Sequence, residues 1–188
     1  FLIITPGPGV LSLAGVGSAF GFRHGSQYLA GLFIGTNLVA LGVITGLAAI
    51  VLALPAVRWV LMGASLLYLL YLAARIAFAG SRIAFVAARV APGIGAGVML
   101  QVINPKAYAV NTGLFTGFGF FPSSFLAETL IKLLILNAIW IPIHLGWLYA
   151  GVTLHRLDLS THAHRRINLA MAAALLAVVV LALWDGTG

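Results

Sequence analysis

The chain is short of charge. Asp, Glu, Lys and Arg make up 7% of its 188 residues, where a soluble domain carries about 25%. Acids are scarcest: Glu128, Asp158 and Asp185 are the full set. With 62% of the residues hydrophobic, no soluble fold of this size could hide the apolar surface, so lipid must be the solvent. Cysteine is absent, which excludes disulfides, thiolate metal sites and thiol redox chemistry. No Gly-x-x-x-x-Gly-Lys-Ser/Thr run occurs, so nothing points to a nucleotide-driven pump. No Ser/His/acid set stands at a legible spacing either, and the reading is not an enzyme. No metal or cofactor is expected: His155, His162 and His164 lack a firm ligand spacing.

What remains is apolar runs and a few cations. The net charge of +7 is spread over several loops and makes no basic patch, which argues against nucleic acid. Six apolar spans are expected, at about 1–22, 28–54, 57–78, 95–121, 123–154 and 168–184. Residues 80–92, with Arg82 and Arg89, read equally as an interfacial helix or a linker. Arg23, then Arg75, Arg82 and Arg89, then Arg156, Arg165 and Arg166 lie around the first, third and fifth connections. Only Arg58 lies on the other side, so these three connections are expected in the cytoplasm and both termini outside. The sequence opens at Phe1 inside an apolar run, with no basic segment or cleavage site ahead of it. Five residues before Pro6 are too few for half a span, so the first turns of helix 1 are expected to lie outside this sequence.

Two places break the helices. Pro6-Gly7-Pro8-Gly9 cannot form regular helix, since each proline lacks a donor and clashes with the preceding turn. Asn104-Pro105-Lys106 repeats the device and adds a cation, which costs about 2.5–3.5 kcal/mol at a helix centre on insertion scales. Pro6 and Pro105 are 99 positions apart, and Asn37 and Asn137 are 100 apart. The fold expected is therefore an all-α membrane protein, one domain over 1–188. Its two three-helix repeats, 1–92 and 93–188, would each begin with a proline-broken helix. Three spans per repeat is an odd number, so the second copy inserts upside down. Paired breaks in inverted repeats point to a solute site near the bilayer midplane.

The break at Pro8 either aims helix N-terminal amides at an anion or is a plain kink. Lys106 is either a cation at a cavity or a structural lysine bonded to carbonyls. Gly31, Gly35, Gly42 and Gly46 form one narrow stripe, read as helix packing with a glycine-lined path as the lesser option. Asn137, Trp140, His144, Trp147 and Gly151 share a helix face beside Pro142. His144 is either a proton carrier or a hydrogen-bonded bundle residue. Glu128 and Lys132, spaced i, i+4, read as a local pair near the outer surface, with Glu128 the other candidate for a proton site. Tyr68, Tyr71 and Arg75 read as interfacial anchors or cavity lining.

Thr5-Pro6-Gly7-Pro8, Gly21-Phe22-Arg23-His24-Gly25, Gly31 with Gly35, Tyr68-Leu69-Leu70-Tyr71-Leu72 and Asn104-Pro105-Lys106-Ala107 together resemble the LysE/RhtB family of amino-acid exporters, in order and spacing over nearly the whole chain. The resemblance implies a small bacterial inner-membrane exporter of amino acids or related metabolites, driven by an ion gradient. By position it implies that Pro6, Gly7, Pro8, Asn104, Pro105 and Lys106 frame the substrate site. The family has a polar residue at or near the position that Gly9 occupies here. Either the substrate lacks the group such a residue would bind, or Asn37 or Asn111 replaces it. Together with Asn137 these residues are the substrate-binding candidates. The function expected is proton-coupled export of a small zwitterion through the bilayer. A channel or a non-transporting scaffold is the alternative, and the glycine stripes are compatible with a homodimer.

Overall fold

The computed structural model describes residues 7–77 and 91–156, then helical residues 162, 163, 165–167, 169, 170, 172–174, 176 and 177. Residues 80–90 of the stretch read as an interfacial helix or a linker, Pro6 and the far end of the sixth span lie outside the described residues. All regular structure described is helical: α1 Pro8–Ile44, α2 Leu47–Leu52, α3 Pro55–Ala77, α4 Ile94–Ile103, α5 Pro105–Gly117 and α6 Phe125–Arg156. Three of these helices, α1, α3 and α6, are long and apolar enough to cross a bilayer. Leu130, Leu134 and Tyr149 of α6 are more than half exposed, an apolar surface suited to lipid. This is a membrane protein.

The 37 residues of α1 are not one rod. Straight, they would reach about 55 Å, far beyond an apolar core of about 30 Å. Gly21 breaks the helix with φ 76° and ψ −175°, a conformation essentially closed to residues with a Cβ. The arms at 8–20 and 22–44 fold back on each other there. The Tyr28 hydroxyl donates to Ser12 Oγ at 3.1 Å, although about 24 Å of straight helix would separate their backbones. This hairpin corresponds to the first two expected spans.

The second span ends earlier than expected. Its helix stops at Ile44, and Gly46 turns the chain with φ 75°, so the helix cannot run on to Pro55. The short α2 fills the gap. Half of the glycine stripe therefore serves a different purpose. Gly46 is a turn residue with nothing near its missing Cβ, and Gly42 meets only Ala48. Gly31 and Gly35 do pack helices: a Cβ on Gly31 would run into the Ile94 carbonyl, and one on Gly35 would sit 2.7 Å from the Gln101 Cβ. Gly97 returns the contact from α4 against the backbone of Tyr28 and Leu32. In lipid such backbone approach is a main source of helix association.

The same device joins the first arm to α6, where Gly151 faces the Ala14 carbonyl and Gly17 faces Leu148 and Val152. Pairings along each helix give directions. Gly9 lies beside His144 and Ala14 beside Gly151, so arm 8–20 runs parallel to α6. Gly31 meets Ile94 and Gly35 meets Val98 and Gln101, so arm 22–44 runs parallel to α4. The rings of Phe22 and Tyr149, and of Phe33 and Trp140, lie 6.3 and 5.9 Å apart, so arm 22–44 runs antiparallel to α6. The opening arm and α4 thus point opposite ways. The core between them holds Leu13, Val16, Tyr28, Leu32, Leu72, Leu100 and Leu148, with Ala172 from the sixth expected span. The Tyr68 hydroxyl ties α3 to the Ala96 carbonyl at 2.8 Å, a helix-joining role beyond anchoring.

Candidate functional site

The helix restarts are built from different parts. At α1, Gly7 is the N-cap in extended conformation, Pro8 takes the first turn and no side chain caps the end. Proline is at ease there, because a first-turn N–H has no helical acceptor. The turn closes with Leu11 N–H donating to the Gly7 carbonyl at 3.1 Å. At α5, Asn104 interrupts α4 with φ −81° and ψ 109°, the extended state favoured before proline. Its Oδ1 accepts from the Lys106 N–H at 3.1 Å, and its Nδ2 donates to Gln101 Oε1 at 3.3 Å. The Tyr108 hydroxyl donates to the Val102 carbonyl at 2.8 Å, so a carbonyl beside the break keeps a partner, as lipid requires. The amide of Lys106 is thus bound by its own cap, and of these two restarts the α1 terminus is the one left without a side-chain cap.

These breaks meet. Gly7, Pro8 and Gly9 share one cavity of about 60 Å³ with Gln101, Asn104 and Lys106, room for a handful of water molecules. Thr36, Asn111, Trp140 and His144 complete its polar and aromatic lining. The Lys106 side chain lies over Gly7: a methyl there would stand 2.9 Å from both its Cδ and its Nζ. Glycine at position 7 therefore makes room for the lysine. The lining includes no acid, and Glu128 is the sole acid among the described residues.

His144 enters from α6, buried. Its ring stacks on Trp140 with centroids 3.5 Å apart, and Nδ1 lies 2.9 Å from the Trp140 carbonyl oxygen. A carbonyl only accepts, so Nδ1 carries the hydrogen and Nε2 of the neutral ring is left as an acceptor. Nε2 would be 3.6 Å from a Cβ on Gly9, as would Gln101 Nε2. Asn111 is 1% exposed. Its Nδ2 donates to the Ala107 carbonyl at 2.8 Å, while its Oδ1 has no hydrogen-bond partner. An orphaned buried acceptor costs about 1–3 kcal/mol.

Of the sequence candidates, Gly7, Pro8, Gly9, Asn104, Lys106, Asn111 and His144 line this cavity. Pro105 begins α5 beside it. Asn37 and Asn137 do not line it. They bind each other, each Nδ2 donating to the other's Oδ1 at 3.1 Å. Their remaining Nδ2 hydrogens go to Phe33 and Leu133 carbonyls. Two facing carboxamides satisfy each other, which leaves little for a solute. Thr36 and Gln101 also line the cavity, though neither is among the site candidates, and Gln101 opens the polar run that leads to Lys106. Gln101 stands three positions before Asn104, one helical turn, and that spacing was the available signal.

Glu128 is elsewhere. It pairs with Lys132 at 2.6 Å, as the i, i+4 spacing predicts, but Lys132 is buried rather than superficial. Lys132 also donates to the Phe115 carbonyl at 3.2 Å and lies over the Phe120 ring. Glu128 Oε2 accepts from the Phe121 N–H at 2.8 Å. This cluster borders a second cavity, of about 260 Å³, lined in part by Val43, Ile44 and Phe115. Among the described residues no group of His, Asp and Glu could hold a metal. His155 and His164 lie outside the described side chains.

No protein family, curated protein or solved structure matches the chain.

Proposed function

We propose that the protein is a secondary transporter that exports small carboxylate-bearing metabolites, amino acids foremost, by alternating access. The observation that carries this reading is the convergence of the helix breaks on one cavity, with Lys106 laid over Gly7. A solute carboxylate would lie between the Lys106 ammonium and the uncapped N-terminus of α1, where the helix dipole adds about half a positive charge. The break at Asn104 has ten helical residues before it and thirteen after, as expected of a site near mid-membrane. A scaffold would have a dry, apolar centre, whereas Thr36, Gln101, Asn104, Asn111 and His144 make this one polar.

The architecture that fits is six spans in two inverted repeats. The opposite directions of the opening arm and α4 support it, as does the Asn37–Asn137 pair, which joins matched positions of the two halves. The motif order resembles the LysE/RhtB exporters and accords with a bacterial inner membrane and termini outside. His144 is the group best placed for proton coupling, since it borders the cavity while Glu128 is tied to Lys132. Proton-driven flux of the twenty common amino acids, measured in vesicles holding the purified protein, tests the reading. Saturable flux of at least one is expected. Flux of none overturns the substrate class, and flux that rises without saturation favours a channel.

A further inference from the structure

One stripe of α6 is sealed at one end and meets a hollow at the other. Lys132, Leu136, Trp140, His144, Leu148 and Val152, spaced by four, run along it, and all are buried. Leu136, Trp140 and His144 line the cavity at the helix breaks. Toward Val152 the stripe is shut. Leu148 and Val152 lie against Gly17, Leu148 also lies against Gly25, and Val16 and Tyr28 are fully buried in the same core. Toward Lys132 the stripe enters the second, partly open cavity of about 260 Å³. The two cavities lie in line. Asn111 of α5, Leu136 of α6 and Thr36 of arm 22–44 line the inner one. Phe115, Lys132 and Val43 of the same three helices line the other. Separations of four and seven positions keep a helix face, so the second cavity continues the first, about 6 Å further along α5 and α6.

Arm 8–20 and α5 each begin at a break and match in length. Arm 8–20 closes on α6 through its far half, where Ala14 meets Gly151 and Gly17 meets Leu148. By position in the proposed repeats, the counterpart of this contact is α5 against arm 22–44. There Phe115 and Thr116 line a cavity with Val43 and Ile44 instead. A Cβ on Gly113 or Gly117 of α5 would meet nothing within 4 Å. We infer that this is one of two states of the transporter, sealed at the Gly21 end and open where α5 meets α6. The 260 Å³ cavity is then the vestibule of the central site. Transport requires α6 to part from Gly17 and Gly25 as α5 closes on arm 22–44. This rests on the transport reading proposed above. Inverted repeats give alternating access by rocking against each other about a fixed site, and exchanging the packing of the halves opens one end as it shuts the other. The reciprocal Asn37–Asn137 pair maps onto itself in that exchange and is kept in both states. On the proposed topology the Gly21 end is cytoplasmic, so an exported solute leaves from the state described.

The chain has no cysteine, so introduced pairs report without background. A Cβ on Gly25 would collide with Leu148 Cδ1, which puts the Cβ atoms of Gly25→Cys and Leu148→Cys near the roughly 3.5–4.5 Å that a disulfide spans. The experiment is amino-acid flux under a proton gradient in vesicles holding the purified full chain, oxidised and then reduced with dithiothreitol. Oxidation of this double variant is expected to lower flux at least tenfold and reduction to restore it, while each single-cysteine variant is unaffected by oxidation. Val43→Cys with Phe115→Cys probes the open end and leaves the packed end untouched. Its disulfide should form at least tenfold faster with solute and gradient than with neither. Equal flux through the oxidised and reduced Gly25→Cys, Leu148→Cys protein overturns the inference. So does a Val43→Cys, Phe115→Cys disulfide that forms no faster during transport, and this second pair decides alone if the first fails to fold. Either result in a protein whose wild type transports leaves the transport reading standing. A wild type without flux of any common amino acid removes both.

Discussion

Two lysines lie within the apolar body of this protein, and they are housed in opposite ways. Lys132 is surrounded by its own answers: the Glu128 carboxylate, the Phe115 carbonyl and the Phe120 ring. Its charge is neutralised locally, and the cluster binds the end of α5, the turn after it and the start of α6. Lys106 lies over a glycine beside the N-terminus of α1, on a polar cavity where the helix breaks meet. The first arrangement joins helices. The second sets a cation and a helix N-terminus on one polar cavity, where an anionic solute would meet both. Burial differs as well: Lys132 is buried, whereas Lys106 is half-buried at the cavity.

The contrast breaks most visibly at Lys132. Lys132→Met removes the cation that Glu128 pairs with and the donor to the Phe115 carbonyl, while the Glu128 carboxylate keeps the Phe120 and Phe121 N–H bonds; losing one member of such a pair is destabilising. Most of the folded, monodisperse protein should be lost on size-exclusion chromatography in detergent. The double variant Glu128→Gln with Lys132→Met should recover most of it, because the orphaned charge goes too. Loss as severe in the double variant would mean that the pair holds the fold through more than charge. A smaller change sharpens the contrast from the other side. Gly7→Ala places a methyl against the flexible end of Lys106, which can shift without unfolding anything. Folded yield should be unchanged, while KM for the transported amino acid rises by roughly tenfold, about 1.4 kcal/mol of binding. An unaltered KM would show that the position of the Lys106 ammonium over Gly7 is not what the solute reads.

The sequence made some of this legible, and the reasons differ by residue. Pro8, Asn104 and Lys106 stood out because a helix in lipid admits a proline, an amide or an ammonium only where protein or water receives it. Spacing of about 100 singled out Asn37 and Asn137, and the two do meet, but it did not give the outcome. Two such amides can face a solute or each other, and only packing decides. Gly31 and Gly46 look alike in a small-residue stripe. One admits a neighbouring backbone and the other turns the chain at positive φ, a difference that lies in a dihedral angle. Thr36 was overlooked because one polar residue in an apolar span announces nothing about which face it occupies; Gln101 opens the polar run that ends at Lys106, one helical turn before Asn104.

The central claim is that Lys106 serves a solute while Lys132 serves the fold. Its most direct test is amino-acid flux under a proton gradient, measured side by side in vesicles. One set holds Lys106→Met, another the Glu128→Gln, Lys132→Met double variant, each at wild-type levels of folded protein. The account predicts that Lys106→Met lowers flux at least about a hundredfold, a loss near 2.7 kcal/mol, while the double variant stays within about threefold of wild type. Undiminished flux through the Lys106→Met protein would contradict it.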